Sequence, residues 1–72
     1  MIEVDVRGLS CPIPVVRTKE AIDKSPKTPL TILVDNEVSK ENVSRLARGH
    51  GYSVEAERTE DGFRLVLNPL AK

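Results

Sequence analysis

Aromatic side chains are scarce in this 72-residue chain, which has one tyrosine, one phenylalanine and no tryptophan. Proteins that bind single-stranded nucleic acids stack the bases on aromatic side chains, whereas Tyr52 and Phe63 both fall at apolar positions of predicted strands. The chain also lacks a charge excess, because eleven Lys and Arg residues balance eleven Asp and Glu residues. Both features argue against strong binding of a polyanion.

Cysteine is equally scarce. The only copy, Cys11, has no partner for an internal disulfide, which suits a reducing compartment. One cysteine, one histidine and scattered acidic residues give no metal-ligand spacing, and we expect neither a metal nor another cofactor. No apolar run is long enough to span a membrane, and the acidic start does not resemble a signal peptide. We therefore expect a cytoplasmic protein with one domain over residues 1–72.

Hydrophobic periodicity predicts six elements in the order βαβαββ. Strands are predicted at residues 2–7, 30–34, 52–56 and 63–67, and helices at 12–24 and from about 39 to 50. Val38 and Val43 occupy the two positions of a hydrophobic staple around the second helix start. Gly51 is the predicted left-handed residue that ends this helix. The Asp61-Gly62 pair predicts a tight hairpin between the last two strands.

These elements predict an α/β fold class with two layers. Right-handed crossovers make the first three strands parallel and place both helices on one face of the sheet. The hairpin makes the fourth strand antiparallel, so the four-stranded sheet is mixed. Leu33 and Val66 are the apolar residues on the face opposite the core, and they would meet if the fourth strand lies beside the second. The predicted strand order is therefore 1-2-4-3, and we expect this apolar pair to pack against a partner or a second domain.

The segment between the first strand and the first helix carries the candidate chemistry. Cys11 falls at the expected N-cap, and Pro12 falls at the first helical position, where a missing N–H costs nothing. Pro14 lies in the same turn, so only Ile13 keeps an N–H near the cap. A cysteine at the positive end of a helix dipole is expected to have a lowered pKa and to be a good nucleophile. The alternative is a small buried hydrophobic residue, which would more naturally occupy a strand or the helix stripe.

The pattern D-x-R-G-L-x-C-P-x-P resembles the signature of the TusA/SirA/YedF sulfur-carrier family. The matching residues are Asp5, Arg7, Gly8, Leu9, Cys11, Pro12 and Pro14. The resemblance implies a two-layer α/β fold and a sulfurtransferase in which Cys11 carries a persulfide. It implies a cysteine desulfurase or another persulfide donor protein, and a downstream acceptor protein. The pathway would be tRNA thiolation or a related part of sulfur or selenium metabolism.

The roles of the other motif residues stay open. Arg7 either helps to hold the sulfur anion or is a solvated residue of the first strand. Asp5 either pairs with Arg7 or fixes the following turn, and Gly8 serves the backbone geometry. His50 lies at the end of the second helix, which the predicted topology places away from Cys11.

The rival hypothesis is a non-catalytic regulatory module that binds RNA or protein. The predicted fold resembles the C-terminal domain of bacterial translation initiation factor three, which binds RNA. Cations on both helices would form a docking surface for an acidic partner or for a tRNA backbone. Balanced charge and few aromatic residues argue against direct binding of nucleic acid. The cations in question are Arg17, Lys19, Lys24, Arg45 and Arg48.

Overall fold

The computed structural model describes residues 2–9 and 13–70. In chain order the elements are β1 (Ile2–Asp5), α1 (Ile13–Lys24), β2 (Leu30–Val34), α2 (Glu37–Gly49), β3 (Tyr52–Thr59) and β4 (Gly62–Pro69). The sheet has the strand order β1-β2-β4-β3. β1 and β2 are parallel, and β4 is antiparallel to both of its neighbours. The predicted α/β class and strand order are confirmed.

The core lies between the two helices and the central strands β2 and β4. Leu30 faces Leu67 and Ile32 faces Leu65 across this pair of strands, and all four side chains are fully buried. The alternation of apolar residues in both strands puts these side chains on one face of the sheet. The helices cover that face with Ile22, Val43 and Ala47, and Val6, Val34 and Tyr52 complete the core.

The second helix begins earlier than predicted. Asn36 is its N-cap, and the Asn36 side-chain oxygen accepts a hydrogen bond of 2.8 Å from the backbone N–H of Ser39. Asparagine caps a helix at least as well as serine, so α2 starts at Glu37 and Ser39 becomes a buried helical residue. The predicted staple is wrong, because Val38 lies inside the first turn and is 64% exposed.

The outer face of the sheet shows how β2 and β4 are aligned. Thr31 lies directly opposite Val66, and Leu33 lies opposite Arg64. Leu33 and Val66 therefore both lie on the outer face, but they are diagonal neighbours and not a directly opposed pair. At the distance between diagonal neighbours, long side chains can still reach each other. Both are partly buried. Docking of a partner on this face stays a prediction.

The hairpin between β3 and β4 is set by a close approach to β2. Thr59 pairs with Gly62, so the two turn residues are Glu60 and Asp61, one position earlier than the Asp61-Gly62 pair predicted. Gly62 has φ +145°, and a Cβ at this position would collide with the carbonyl oxygen of Val34. Only glycine adopts this conformation and leaves that space free.

Within the described residues, neither α1 nor α2 is long and apolar enough to cross a membrane.

Replacing Gly62 with alanine should destabilise the fold. The backbone conformation alone costs about 1–3 kcal/mol for a residue with a side chain, and the collision with Val34 adds to it. Urea unfolding would measure the loss. Gly49→Ala is the matched control, since a Cβ there meets nothing within 4 Å, and it should stabilise α2 by up to about 1 kcal/mol. Equal effects of the two substitutions would contradict this assignment.

Candidate functional site

The loop after β1 is held by backbone hydrogen bonds within the loop and to β2. The N–H of Val6 donates to the Leu33 carbonyl at 2.9 Å, and the N–H of Leu9 donates to the Val6 carbonyl at 3.3 Å. Gly8 between them has φ +78°, a left-handed conformation that favours glycine. Leu9 packs against the core. Cys11 and Pro12 lie outside the described residues, so the structure gives the geometry on either side of the predicted nucleophile.

Asp5 and Arg7 are joined by three hydrogen bonds at the start of this loop. The Asp5 carboxylate accepts hydrogen bonds from the backbone N–H of Arg7 at 3.0 Å, from Nε at 3.0 Å and from Nη2 at 2.8 Å. The side-chain bond from Arg7 is the main reason why the pKa of Asp5 is lowered from 3.8 to about 2, and Asp5 in turn raises the pKa of Arg7. Asp5 thus both pairs with Arg7 and fixes the start of the turn.

A second carboxylate faces the same guanidinium. Nη1 of Arg7 lies 3.5 Å from the Asp61 carboxylate in the β3–β4 turn. The single positive charge of Arg7 therefore has two carboxylate neighbours from different parts of the chain. A role of Arg7 in holding the sulfur anion of Cys11 stays a prediction.

Asp35, directly after β2, ties the loop to the second helix. One Asp35 oxygen accepts the backbone N–H of Gly8 at 2.7 Å, and the other accepts the Asn36 side-chain amide at 2.9 Å. The same Asn36 side chain caps α2 through Ser39. The loop before Cys11 and the N-terminus of α2 are therefore held by one chain of hydrogen bonds.

Sequence reasoning missed Asp35, Asn36 and Asp61 as neighbours of the motif. In the sequence, Asp35 and Asn36 simply follow the predicted second strand, and Asp61 is predicted only as a turn residue. A signal was present, because polar residues that follow adjacent parallel strands meet at the same edge of the sheet. Asp35 follows β2, which pairs with β1 in parallel, and β1 leads into the motif.

On the other side of Cys11, the start of α1 is anchored by Pro14. Its side chain is fully buried, and its carbonyl accepts a hydrogen bond of 2.8 Å from the Thr18 hydroxyl. The second motif proline is thus part of the packed interior as well as a residue without an N–H. Ile13, the residue before it, is 42% exposed.

His50 lies at the opposite end of the fold from this loop. It is the C-cap of α2, and the following Gly51 has φ +84°, as predicted for the residue that ends the helix. The Gly51 carbonyl accepts the N–H of Leu70 beyond the end of β4. Within residues 2–9 and 13–70, no group of three or more His, Asp or Glu side chains is placed to hold a metal ion.

Three comparisons with known proteins agree with one another. The family described as Sulfurtransferase TusA matches residues 2–68 of the chain. A candidate sulfur carrier protein of Methanocaldococcus jannaschii is 39% identical over 69 residues, which cover 93% of this chain and 92% of that protein. The crystal structure of a SirA-like protein from Desulfitobacterium hafniense matches with a TM-score of 0.84 and 35% identity, over 100% of both chains.

The Asp5–Arg7 pair should make stability depend on pH in the acid range. The folded protein holds the Asp5 pKa at about 2, below the ordinary 3.8, so the stabilisation is fully present above pH 3.8 and is lost as the pH falls to about 2. We expect the difference in unfolding free energy between the parent and Asp5→Asn to shrink over this window. Urea titrations at several pH values would measure it. A difference that is constant with pH would contradict the pairing.

Asp35→Ala should release the loop before Cys11. Removing the acceptor of the Gly8 N–H should speed hydrogen exchange of the Gly8 amide and lower stability by about 1 kcal/mol. NMR hydrogen exchange would report the first effect and urea unfolding the second. Asp61→Ala is the control, since its exposed ion pair at 3.5 Å should contribute less than about 0.5 kcal/mol. Unchanged exchange at Gly8 would show that the bond does not hold the loop.

Proposed function

The chain belongs to the Sulfurtransferase TusA family, and from this premise we propose that it is a sulfur carrier that relays sulfur as a persulfide on Cys11. The observation that carries the proposal is the position of the only cysteine. In the sequence it lies between a loop that bonds to Asp35 and Asp61 and a helix start anchored by the buried Pro14. The segment that surrounds it contains the complete D-x-R-G-L-x-C-P-x-P pattern.

The proposed transfer needs neither an oxidant nor a cofactor. The thiolate of Cys11 attacks the terminal sulfur of a persulfide on the donor protein. A new S–S bond forms at Cys11, the S–S bond of the donor breaks, and the donor cysteine leaves as a thiolate. The hydrogen on the terminal sulfur moves with it, so that Cys11 carries S–SH. An acceptor thiolate then attacks the same terminal sulfur, and Cys11 leaves as a thiolate.

A lowered thiol pKa serves both halves of this exchange. It increases the fraction of thiolate when Cys11 is loaded, and it makes Cys11 a better leaving group when the sulfur is passed on. α1 begins at Ile13, two positions after Cys11 in the sequence, and its N-terminus is the positive end of the helix dipole. Pro12 and Pro14 have no N–H, so the start of α1 has fewer backbone donors than an ordinary helix, and the amide of Ile13 is one of those that remain.

The other motif residues are proposed to shape the loop that presents Cys11. Asp5 and Arg7 set the turn through their backbone and side-chain bonds, and Gly8 supplies the left-handed residue whose N–H reaches Asp35. These contacts fix the chain three residues before the sulfur. A fixed loop lowers the entropy lost when the sulfur is brought against a partner's cysteine.

The partners follow from the chemistry. The donor is proposed to be a cysteine desulfurase or another protein with a persulfide, and the acceptor a protein thiol in tRNA thiolation or in related sulfur or selenium metabolism. A free thiol of this kind suits the cytoplasm. We propose that residues 1–72 act as one domain in this relay.

Cys11→Ser should abolish sulfur loading and leave the fold intact, because a hydroxyl is also a good N-cap. Both proteins would be incubated with a cysteine desulfurase and cysteine and analysed by intact-mass spectrometry. We expect the parent to gain the mass of one sulfur, which a thiol reductant removes, and the variant to gain none. Circular dichroism would check that the variant keeps its helices.

Two outcomes would count against the proposal. Loading of the Cys11→Ser variant would place the sulfur elsewhere. A parent protein that gains no sulfur and retains RNA on purification would support the binding module instead.

A further inference from the structure

A basic groove runs along one edge of the fold, between α2 and β3. It has a volume of about 480 Å³. The side chains of Lys40, Arg45 and Arg48 line it on the helix side, and Val54 and Ala56 line its floor on the strand side. Glu41 is the one acidic residue that lines it. Three cations against one carboxylate give the groove an excess of positive charge.

The cations of the groove carry positive charge that other side chains leave largely unneutralised. Within the described residues, neither Arg45 nor Arg48 forms an ion pair. The ammonium of Lys40 lies 4.7 Å from the centre of the Phe63 ring, an attraction that leaves its charge unneutralised. On α1, by contrast, Lys19 is paired with Asp23 at 3.0 Å.

The floor of the groove is an edge strand. β3 is the last strand of the sheet and pairs on one side only, with β4. It is eight residues long and contains no proline, so it presents a row of backbone N–H and C=O groups to an added strand. The opposite edge strand, β1, has four residues.

The two faces of β3 carry opposite charge environments. Val54 and Ala56 point to the cationic groove, while Glu55 and Glu57 point to the outer face of the sheet. Glu57 is paired with Arg64 on β4, whereas Glu55 has no ion pair in the described part of the chain. A strand added to β3 would therefore have cations beside one of its faces and carboxylates beside the other.

We propose that the β3 edge and the basic groove bind an extended segment of a partner protein in which acidic and basic residues alternate. Strand addition of this kind takes its affinity from main-chain hydrogen bonds and its specificity from alternate side chains. The acidic side chains would lie in the groove beside Arg45 and Arg48. The basic side chains would lie opposite Glu55 and Glu57, within the distance at which cross-strand charges interact.

The same charges disfavour pairing between two copies of this chain through β3. Antiparallel self-pairing places residues of one face opposite residues of the same face. In the register centred on residue 55, Glu55 of one copy faces Glu55 of the other. In the register centred on residue 56, Glu55 faces Glu57 of the other copy. Like charges directly opposite each other are destabilising. Pairing of β3 with a second copy of itself is therefore unfavourable. A segment in which acidic and basic residues alternate avoids this repulsion.

A pair of synthetic peptides tests the proposal without any sulfur chemistry. The probe is an alternating Glu-Lys peptide, which puts all its acids on one face when extended. The control peptide repeats Glu-Glu-Lys-Lys, with the same composition and net charge but both charges on each face. In NMR titrations of the Cys11→Ser protein, we expect the alternating peptide to shift the amides of β3 and to protect them from hydrogen exchange. The control peptide should bind about tenfold more weakly or not at all.

Matched variants locate the binding. Arg45→Glu with Arg48→Glu should weaken binding of the alternating peptide about tenfold. Arg17→Glu with Lys24→Glu makes the same charge change at the groove beside β1 and should leave binding unchanged. If the first pair perturbs the circular dichroism spectrum, Arg45→Gln with Arg48→Gln takes its place and should weaken binding in the same direction. Equal binding of the two peptides, no shift in β3, or equal effects of the two pairs of variants would overturn the proposal.

Discussion

Pairing between β2 and β4 is the constraint on which the arrangement of this protein depends. The fully buried side chains of the two strands face one another across the sheet and fix the register over five residue pairs. That register brings the β3–β4 turn to the end of β2, where Gly62 passes so close to Val34 that no side chain fits. β1 lies on the other side of β2. The motif loop therefore emerges at an edge where residues from two other segments are already in place.

The contacts at this edge are polar and mostly exposed, unlike those of the core. Exposed ion pairs contribute little to stability, so the ion pairs of Asp5 and Asp61 with Arg7 act mainly on the conformation of the loop. The carboxylate of Asp35 uses both of its oxygens, one for Gly8 and one for Asn36. The loop that leads to Cys11 and the cap of α2 therefore share an acceptor. This geometry suits a carrier, in which the residue that bears the cargo must be presented at one end and the core must stay unchanged.

Much of the fold could be predicted because it rests on local patterns. Alternating apolar residues gave the strands, and the paired apolar positions Leu33 and Val66 gave the strand order even though they meet diagonally. The start of α2 was misplaced because two good caps, Asn36 and Ser39, lie three residues apart, and tertiary packing selects between them. The partners of the motif were missed because they are distant in sequence. Asp35 is 27 residues from Gly8, and Asp61 is 54 residues from Arg7.

These long separations also set the order in which the loop is completed during synthesis. During synthesis the cysteine and its prolines precede their surroundings, because the acceptor for Gly8 appears only with residue 35 and the second carboxylate for Arg7 only with residue 61. Contacts between residues so far apart form after the intervening segments have closed into place. Before those residues are synthesised, the segment around Cys11 lacks its bonds to Asp35 and Asp61. The conformation of the motif loop therefore depends on residues up to Asp61, and a product truncated before this residue contains Cys11 without the full set of contacts around the loop.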